Sequence, residues 1–280
     1  MGRARDLIER FRMFAPPNKE LGQHFLLDDE VLRNIADLGG LNSDDYVLEV
    51  GPGPGGLTNY LIEMCENVIC VEIDERAITH LEQVFKEGIT IIKGDVLTTQ
   101  LPRFNKVVAN IPYQISSPLL EKLCQIHRNE PIEKMVLLVQ EEFAQRMKMD
   151  NPIDRCSLGM NLQLEWDIQL QNKVSPHHFS PAPKVDSRVV TLTPRKELLN
   201  IDNRLARMII HQAFNQRRKK LRNSLANPPK RLNRIKGWHR TRWEDALHNL
   251  EGLNRRPEEL TLDDWVHLTD QICEVSPSEG

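Results

Sequence analysis

Short segments of this 280-residue chain carry residue types whose spacing could do chemistry. The first is Glu49-Val-Gly51-Pro-Gly53-Pro-Gly55-Gly56-Leu-Thr58, directly after a β-rich run. Glycines there let the backbone turn sharply and come close to a ligand. Gly51, Gly53 and Gly56 satisfy G-x-G-x-x-G, and Glu72 follows 21 residues after Gly51, which is also a dinucleotide fingerprint. A nicotinamide enzyme and a purely structural turn are therefore alternatives at this point. Glu72 ends the second β-rich run, placed to accept hydrogen bonds from both ribose hydroxyls of an adenosine. Asp95, in Gly94-Asp-Val96, follows the third run, where it can accept from an adenine amine; Val96 belongs to the same candidate site. Acidic residues at two successive strand ends suit a nucleoside without a pyrophosphate, namely S-adenosylmethionine. A pair of solvated loop carboxylates is the bland alternative.

Asn110-Ile-Pro112-Tyr113 closes the fourth β-rich run. Adenine N6 is a poor nucleophile because its lone pair is delocalised into the ring. An amide oxygen from Asn110 and the Ile111 carbonyl can accept its two N–H bonds and favour a more pyramidal nitrogen. Pro112 has no N–H and fixes the turn that aims the carbonyl. Tyr113 offers a ring on which a flipped base can stack, worth about 1–3 kcal/mol per base. A plain turn is the competing reading.

Charge is segregated. Positions 204–242 hold 13 Lys or Arg and no Asp or Glu, whereas the other 241 residues hold 24 basic and 40 acidic side chains. The formal net charge of -3 conceals this. Neighbouring cations repel unless a polyanion neutralises them, so a phosphate-binding face is favoured over a solvated basic helix. Arg217, Arg218, Lys219, Lys220 and Arg222 are the leading contacts.

These residues need elements to hold them. Runs at 46–50, 68–73, 89–92, 106–109 and 134–139 alternate with helical patterns, which reads as βαβ units and a mainly parallel sheet. Two later runs, 162–170 and 188–192, are expected as a terminal antiparallel pair, joined by a proline-rich loop at 175–183. Beyond Pro194 the pattern turns helical: Asp202 can cap a helix through Arg204, Met208, Ile209 and Phe214 that Pro228-Pro229 breaks. Another helical segment enters at Arg242-Trp243, and a third over 261–274 opens with Thr-Leu-Asp-Asp. The five cysteines form no C-x-x-C pair, which argues against a disulfide framework or structural zinc and suits a reducing compartment. No apolar run approaches the roughly 20 residues of a membrane span, and positions 1–14 lack a secretory pattern. A soluble cytoplasmic protein is expected.

Taken together, the motifs resemble the ribosomal RNA adenine N6,N6-dimethyltransferases of the kasugamycin-resistance type, with archaeal and eukaryotic relatives. The matching landmarks are Gly22-Gln-His-Phe-Leu26, the 49–58 segment, Val71-Glu-Ile-Asp74, Gly94-Asp95 and Asn110-Ile-Pro-Tyr-Gln-Ile-Ser-Ser-Pro118. They continue with Gln140-Glu-Glu-Phe143, Phe179-Ser-Pro-Ala-Pro-Lys-Val-Asp-Ser187 and Ala213-Phe-Asn-Gln-Arg-Arg-Lys-Lys-Leu-Arg-Asn-Ser224. The resemblance implies an α/β, Rossmann-like class I S-adenosylmethionine-dependent methyltransferase with a seven-stranded sheet and a small all-α C-terminal domain. The expected division is an extension over 1–20, a cofactor-binding domain over 21–195 and an RNA-binding domain over 196–280. The resemblance sets S-adenosylmethionine against His24, Leu26, Gly51, Gly53, Glu72, Asp95, Val96 and Asn110. It implies transfer of two methyls to each of two adjacent adenosines in the 3′-terminal hairpin of small-subunit rRNA. Phe179 matches a loop aromatic expected on the face of the target base opposite Tyr113, with a core aromatic as the alternative.

Two positions depart from the family pattern. His24 stands where the family usually has Asn, which bears on its side-chain contact with the cofactor. Ile111 replaces the commoner Leu and matches the erythromycin-resistance enzymes that act on large-subunit rRNA. Segment 151–157 lacks the Gly-Ser-Lys-type stretch of archaeal members. His177-His178 has no acidic or cysteine partner at metal-ligand spacing, and methyl transfer from a sulfonium needs no metal. The expected partner is small-subunit rRNA or an immature small ribosomal subunit, met by a monomer without membrane association. Large-subunit methylation and a non-catalytic maturation factor are the alternatives.

Overall fold

The computed structural model describes residues 2–14, 23–197, 199–248 and 250–274. The chain forms two compact units, Met1–Ala144 with Asp167–Pro194, and Gln145–Trp166 with Arg195–Gly280.

The strands are β1 (Phe25–Leu26), β2 (Tyr46–Val50), β3 (Asn67–Glu72), β4 (Thr90–Lys93), β5 (Lys106–Asn110), β6 (Lys134–Gln140), β7 (Trp166–Val174), β8 (Phe179–Ser180) and β9 (Ser187–Pro194). Seven of them form one sheet in the order β4-β3-β2-β5-β6-β9-β7. The pairings from β4 to β6 are parallel, and β9 runs antiparallel to β6. Val47, Leu48, Val50, Val68, Ile69, Val107, Val108 and 135–139 are buried, because helices cover both faces of a parallel sheet. The chain builds outward from β2 to β3 and β4, then returns to add β5 on the other side of β2. A ligand crevice is expected outside the carboxyl ends of the strands at that reversal.

The helices are α1 (Arg3–Phe14), α2 (Asp29–Gly39), α3 (Thr58–Leu61), α4 (Glu75–Phe85), α5 (Ser116–His127), α6 (Glu141–Lys148), α7 (Ser157–Gln163), α8 (Asn203–Phe214), α9 (Leu221–Ser224), α10 (Arg240–His248) and α11 (Leu262–Glu274). Within the expected N-terminal extension, α1 docks onto the first unit through Ala4, Leu7, Ile8 and Phe11. The Ala4 N–H donates to Asp29 Oδ1 at 3.0 Å, and the Phe11 ring meets Phe25 edge-on.

Several expected boundaries shift. Residues 162–163 are the end of α7 rather than the start of a strand, and β7 begins at Trp166. A short apolar run does not distinguish the two by periodicity. The 175–183 loop contains a 3-10 turn (Pro176–His178) and then β8, which pairs antiparallel with β1 in the register Leu26 to Phe179. Asp202 caps α8 by accepting from the N–H groups of Arg204 and Leu205 at 2.8 and 3.0 Å. The helix stops at Phe214, well before Pro228, so positions 217–220 lie in a turn ahead of α9, which carries Arg222. Thr261 and Asp264 exchange hydrogen bonds at the start of α11. Segment 145–166 belongs to the same compact unit as the C-terminal helices, because Met149, Met160 and Leu164 share a core with Trp243 and Trp265.

Candidate active site

A cleft at the carboxyl ends of β2, β3 and β5 brings together ten residues singled out from sequence: His24, Leu26, Gly51, Gly53, Glu72, Asp95, Val96, Asn110, Pro112 and Tyr113. Gly51 and Gly53 have φ of 65° and 55°, the left-handed region that favours glycine. A Cβ on Gly53 would also lie 3.0 Å from the Phe25 ring.

Glu72 ties this loop to the end of β3. Its Oε2 accepts from the Gly53 N–H at 3.0 Å, and its Oε1 accepts from the N–H groups of Ile73 and Asp74 at 2.8 and 2.9 Å. Burial raises its pKa, opposed by these amide bonds. Each carboxylate oxygen has two lone pairs, so Oε2 retains acceptor capacity for a hydroxyl. Asp95 Oδ1 accepts from the Leu97 N–H at 2.9 Å, and Asp95 is one of the residues that line the cleft. The Gly53 amide is thus committed to a carboxylate, and α3 after the loop has only four residues. Both facts disfavour a pyrophosphate, which needs free loop amides and a helix N-terminus. Acidic acceptors beside apolar walls fit an adenosine that carries no phosphate.

Asn110 extends from the last residue of β5. Its Nδ2 donates to the His24 carbonyl at 3.4 Å, which leaves Oδ1 as an acceptor. Ile111 N–H donates to the Leu138 carbonyl at 3.2 Å, anchoring the turn to β6. Pro112 has φ −55° and ψ 125° and leads into a 3-10 turn over Tyr113–Ile115. Tyr113 Oη is hydrogen-bonded to Ser187 Oγ at 2.7 Å, and burial raises its pKa. The His24 ring lies offset-stacked on the Tyr113 ring, with centroids 5.7 Å apart and 24° between planes.

Two candidates have surroundings that the sequence did not show. Phe179 is 3% exposed and sits in the core of the first unit with Leu26, Val174 and Val189. Its β-bridge partner is Leu26, and it is not among the residues that line the cleft, which favours the core-aromatic reading. Arg217 is paired with Glu258 at 2.6 Å and donates to the Ile153 carbonyl at 3.0 Å. Its guanidinium is half-exposed and already has a carboxylate partner. Arg218, Lys219, Lys220 and Arg222 are exposed. His178 Nδ1 is 2.7 Å from Asp28 Oδ2 and His177 contacts Ser175; among the described residues no group of three metal-ligating side chains assembles. Gly22 lies outside the described residues.

The cleft and the loops around it also hold residues that sequence reasoning missed. Ile73 is 53% exposed beside Glu72, and Ile8 reaches the cleft from α1. Lys122 of α5 donates to the Val96 and Thr99 carbonyls at 2.7 Å each and to Leu97 at 3.4 Å, bracing the Asp95 loop. An apolar residue directly after a strand-end carboxylate was the available signal for Ile73. None pointed to Lys122.

The sheet order and this cleft define a class I S-adenosylmethionine-dependent methyltransferase. Residues 16–238 match the family described as ribosomal RNA adenine dimethylase. The chain is 38% identical over 275 residues to the ribosomal RNA small subunit methyltransferase A of Gloeobacter violaceus, covering 94% of this chain and 96% of the relative. Among solved structures it resembles a dimethyladenosine transferase from Plasmodium falciparum, with TM-score 0.73 and 28% identity over 88% of this chain and 96% of that one. It also resembles the 23S rRNA methyltransferase ErmE, with TM-score 0.67 and 25% identity over 89% of this chain and all of that one. The chain belongs to the ribosomal RNA adenine dimethylase family. Its activity is S-adenosylmethionine-dependent dimethylation of adenine in ribosomal RNA.

Proposed function

We propose that this enzyme dimethylates the N6 amines of two adjacent adenosines in the 3′-terminal hairpin of small-subunit rRNA, acting as a cytoplasmic monomer on an immature small subunit. The similarity to the named small-subunit relative along nearly the whole chain carries the choice of subunit. Glu72 Oε2 accepts from the cofactor ribose and Asp95 from its adenine amine, with Leu26, Gly51, Gly53, Val96, Asn110 and the His24 backbone completing the cofactor site. When bound, the cofactor supplies an electrophilic methyl group. The orientation of Asn110, with Nδ2 committed to the His24 carbonyl, supports a role for Oδ1 as acceptor of one N6 hydrogen. The Ile111 carbonyl accepts the second, aimed by Pro112, while the base stacks on Tyr113. Alignment of amine and methyl can supply up to about 7–11 kcal/mol of the barrier. No metal is required. The first unit carries the chemistry, and the second holds RNA phosphates through Arg218, Lys219, Lys220 and Arg222.

The test is methyl transfer from labelled S-adenosylmethionine to unmodified small and large ribosomal subunits in parallel, with nucleosides identified after digestion. Dimethyladenosine from the small subunit alone, at two adjacent positions, is expected. Label in the large subunit alone assigns the erythromycin-resistance substrate instead. Cofactor binding without transfer to either leaves a maturation factor.

A further inference from the structure

We infer that the His24 side chain is a positioning residue for the target base. This rests on the proposed reading of the Asn110–Tyr113 site. His24 immediately precedes β1, and the pairing of Phe25 with Ser180 brings it opposite Pro181. Its Nδ1 lies 2.8 Å from the Pro181 carbonyl. A carbonyl only accepts, so Nδ1 carries the hydrogen and the ring is fixed in rotation. In that orientation the ring lies nearly parallel to Tyr113, within the range of offset stacking. The His24 carbonyl in turn receives the Asn110 amide. One residue therefore touches both parts of the base site, Tyr113 through its ring and Asn110 through its backbone, and ties them to the segment after β8.

Ser187 holds the Tyr113 hydroxyl and His24 backs one face of its ring. The opposite face is then the stacking platform for adenine. An asparagine at position 24 has no ring to set against Tyr113, so here the histidine adds a support for the platform that a smaller polar side chain lacks. A base that stacks on a supported ring keeps its amine in line, and misplacement by about 1 Å can cost on the order of 100-fold in rate.

The experiment separates kcat, measured on small subunits at saturating cofactor, from the Kd of S-adenosylmethionine measured by calorimetry. His24→Ala and His24→Asn are expected to lower kcat by about 10–100-fold with cofactor Kd unchanged within about two-fold. His24→Phe keeps a ring against Tyr113 without the Pro181 bond and is expected to recover most of the loss. Melting curves show that the variants are folded. A His24→Ala enzyme with weakened cofactor binding and normal kcat at saturation overturns the inference, as does an His24→Asn enzyme of full activity. A wild-type protein that binds cofactor but methylates neither subunit overturns the proposed function and, with it, the positioning role.

Discussion

Thr58 donates its hydroxyl hydrogen to Glu49 Oε2 at 2.7 Å beneath the glycine loop. Both residues are buried, and Cys70 Sγ approaches the same carboxylate oxygen at 3.7 Å. Burial pushes the Glu49 pKa from an ordinary 4.5 to about 8, against the opposing hydrogen bond from Thr58. The folded protein therefore keeps a proton that the unfolded chain releases above pH 4.5. Stability from this group is fully present below pH 4.5 and is lost as the pH rises through about 8. Glu49→Gln should flatten that dependence. Urea melts from pH 5 to 9 are expected to show the variant gaining on wild type as pH rises; parallel curves for the two proteins would refute the assignment.

Lys122 connects a helix to the cofactor loop. Replacing it with methionine removes donors to the Val96, Leu97 and Thr99 carbonyls. The expected cost is about 1–3 kcal/mol of stability, together with weaker S-adenosylmethionine binding through a loosened Asp95. Calorimetric titration and thermal melts check both; a variant that melts lower but binds cofactor normally would confine Lys122 to stability.

Arg217 and its neighbour Arg218 should behave oppositely. Arg217→Ala leaves Glu258 without its guanidinium and frees the Ile153 carbonyl, so it is expected to lower the melting temperature with little change in the salt slope of RNA binding. Arg218→Glu with Lys219→Glu should preserve the melting temperature and weaken binding. Each lost phosphate contact lowers the slope of log K against log salt by about 0.7–0.9. Filter binding at a series of salt concentrations distinguishes the two.

Asp45 and Lys106 form a buried ion pair at 2.7 Å, with side chains 4% and 9% exposed. Lys106 Nζ also donates to the Gly40 carbonyl, and Asp45 accepts from Asn105 and from the Asn42 N–H. Burial opposes ionisation of Asp45, but these partners hold its pKa below 3.8. The contribution is therefore present above pH 3.8 and is lost as the pH falls through the lowered folded value. Lys106→Met strands the carboxylate and is expected to cost about 3–5 kcal/mol. Denaturant unfolding at pH 7 measures it, and a cost below the error of the melt would mean that the pair is hydrated in solution.

The parallel strands, the cap at Asp202 and the glycine loop were legible from sequence because each rests on local patterns: a run of apolar side chains, a short polar side chain before a helix, a glycine where φ turns positive. Glu72, Asp95 and Asn110 were legible for the same reason, since a strand end projects its side chain into the crevice of a parallel sheet whatever surrounds it. The environment of each side chain was not. Phe179 is buried in the core beside Leu26, its partner in the β1–β8 pairing, a contact between residues more than 150 positions apart. Arg217 is neutralised by Glu258, and Lys122 meets carbonyls more than 20 positions away. The residue types pointed to the cofactor class and the reacting amine, and the family resemblance carried by the motifs chose between the alternatives. Tertiary packing decided which aromatic is buried in the core, which cation has a carboxylate partner and which carboxyl has its pKa raised, because burial and pairing depend on neighbours brought together only by the fold.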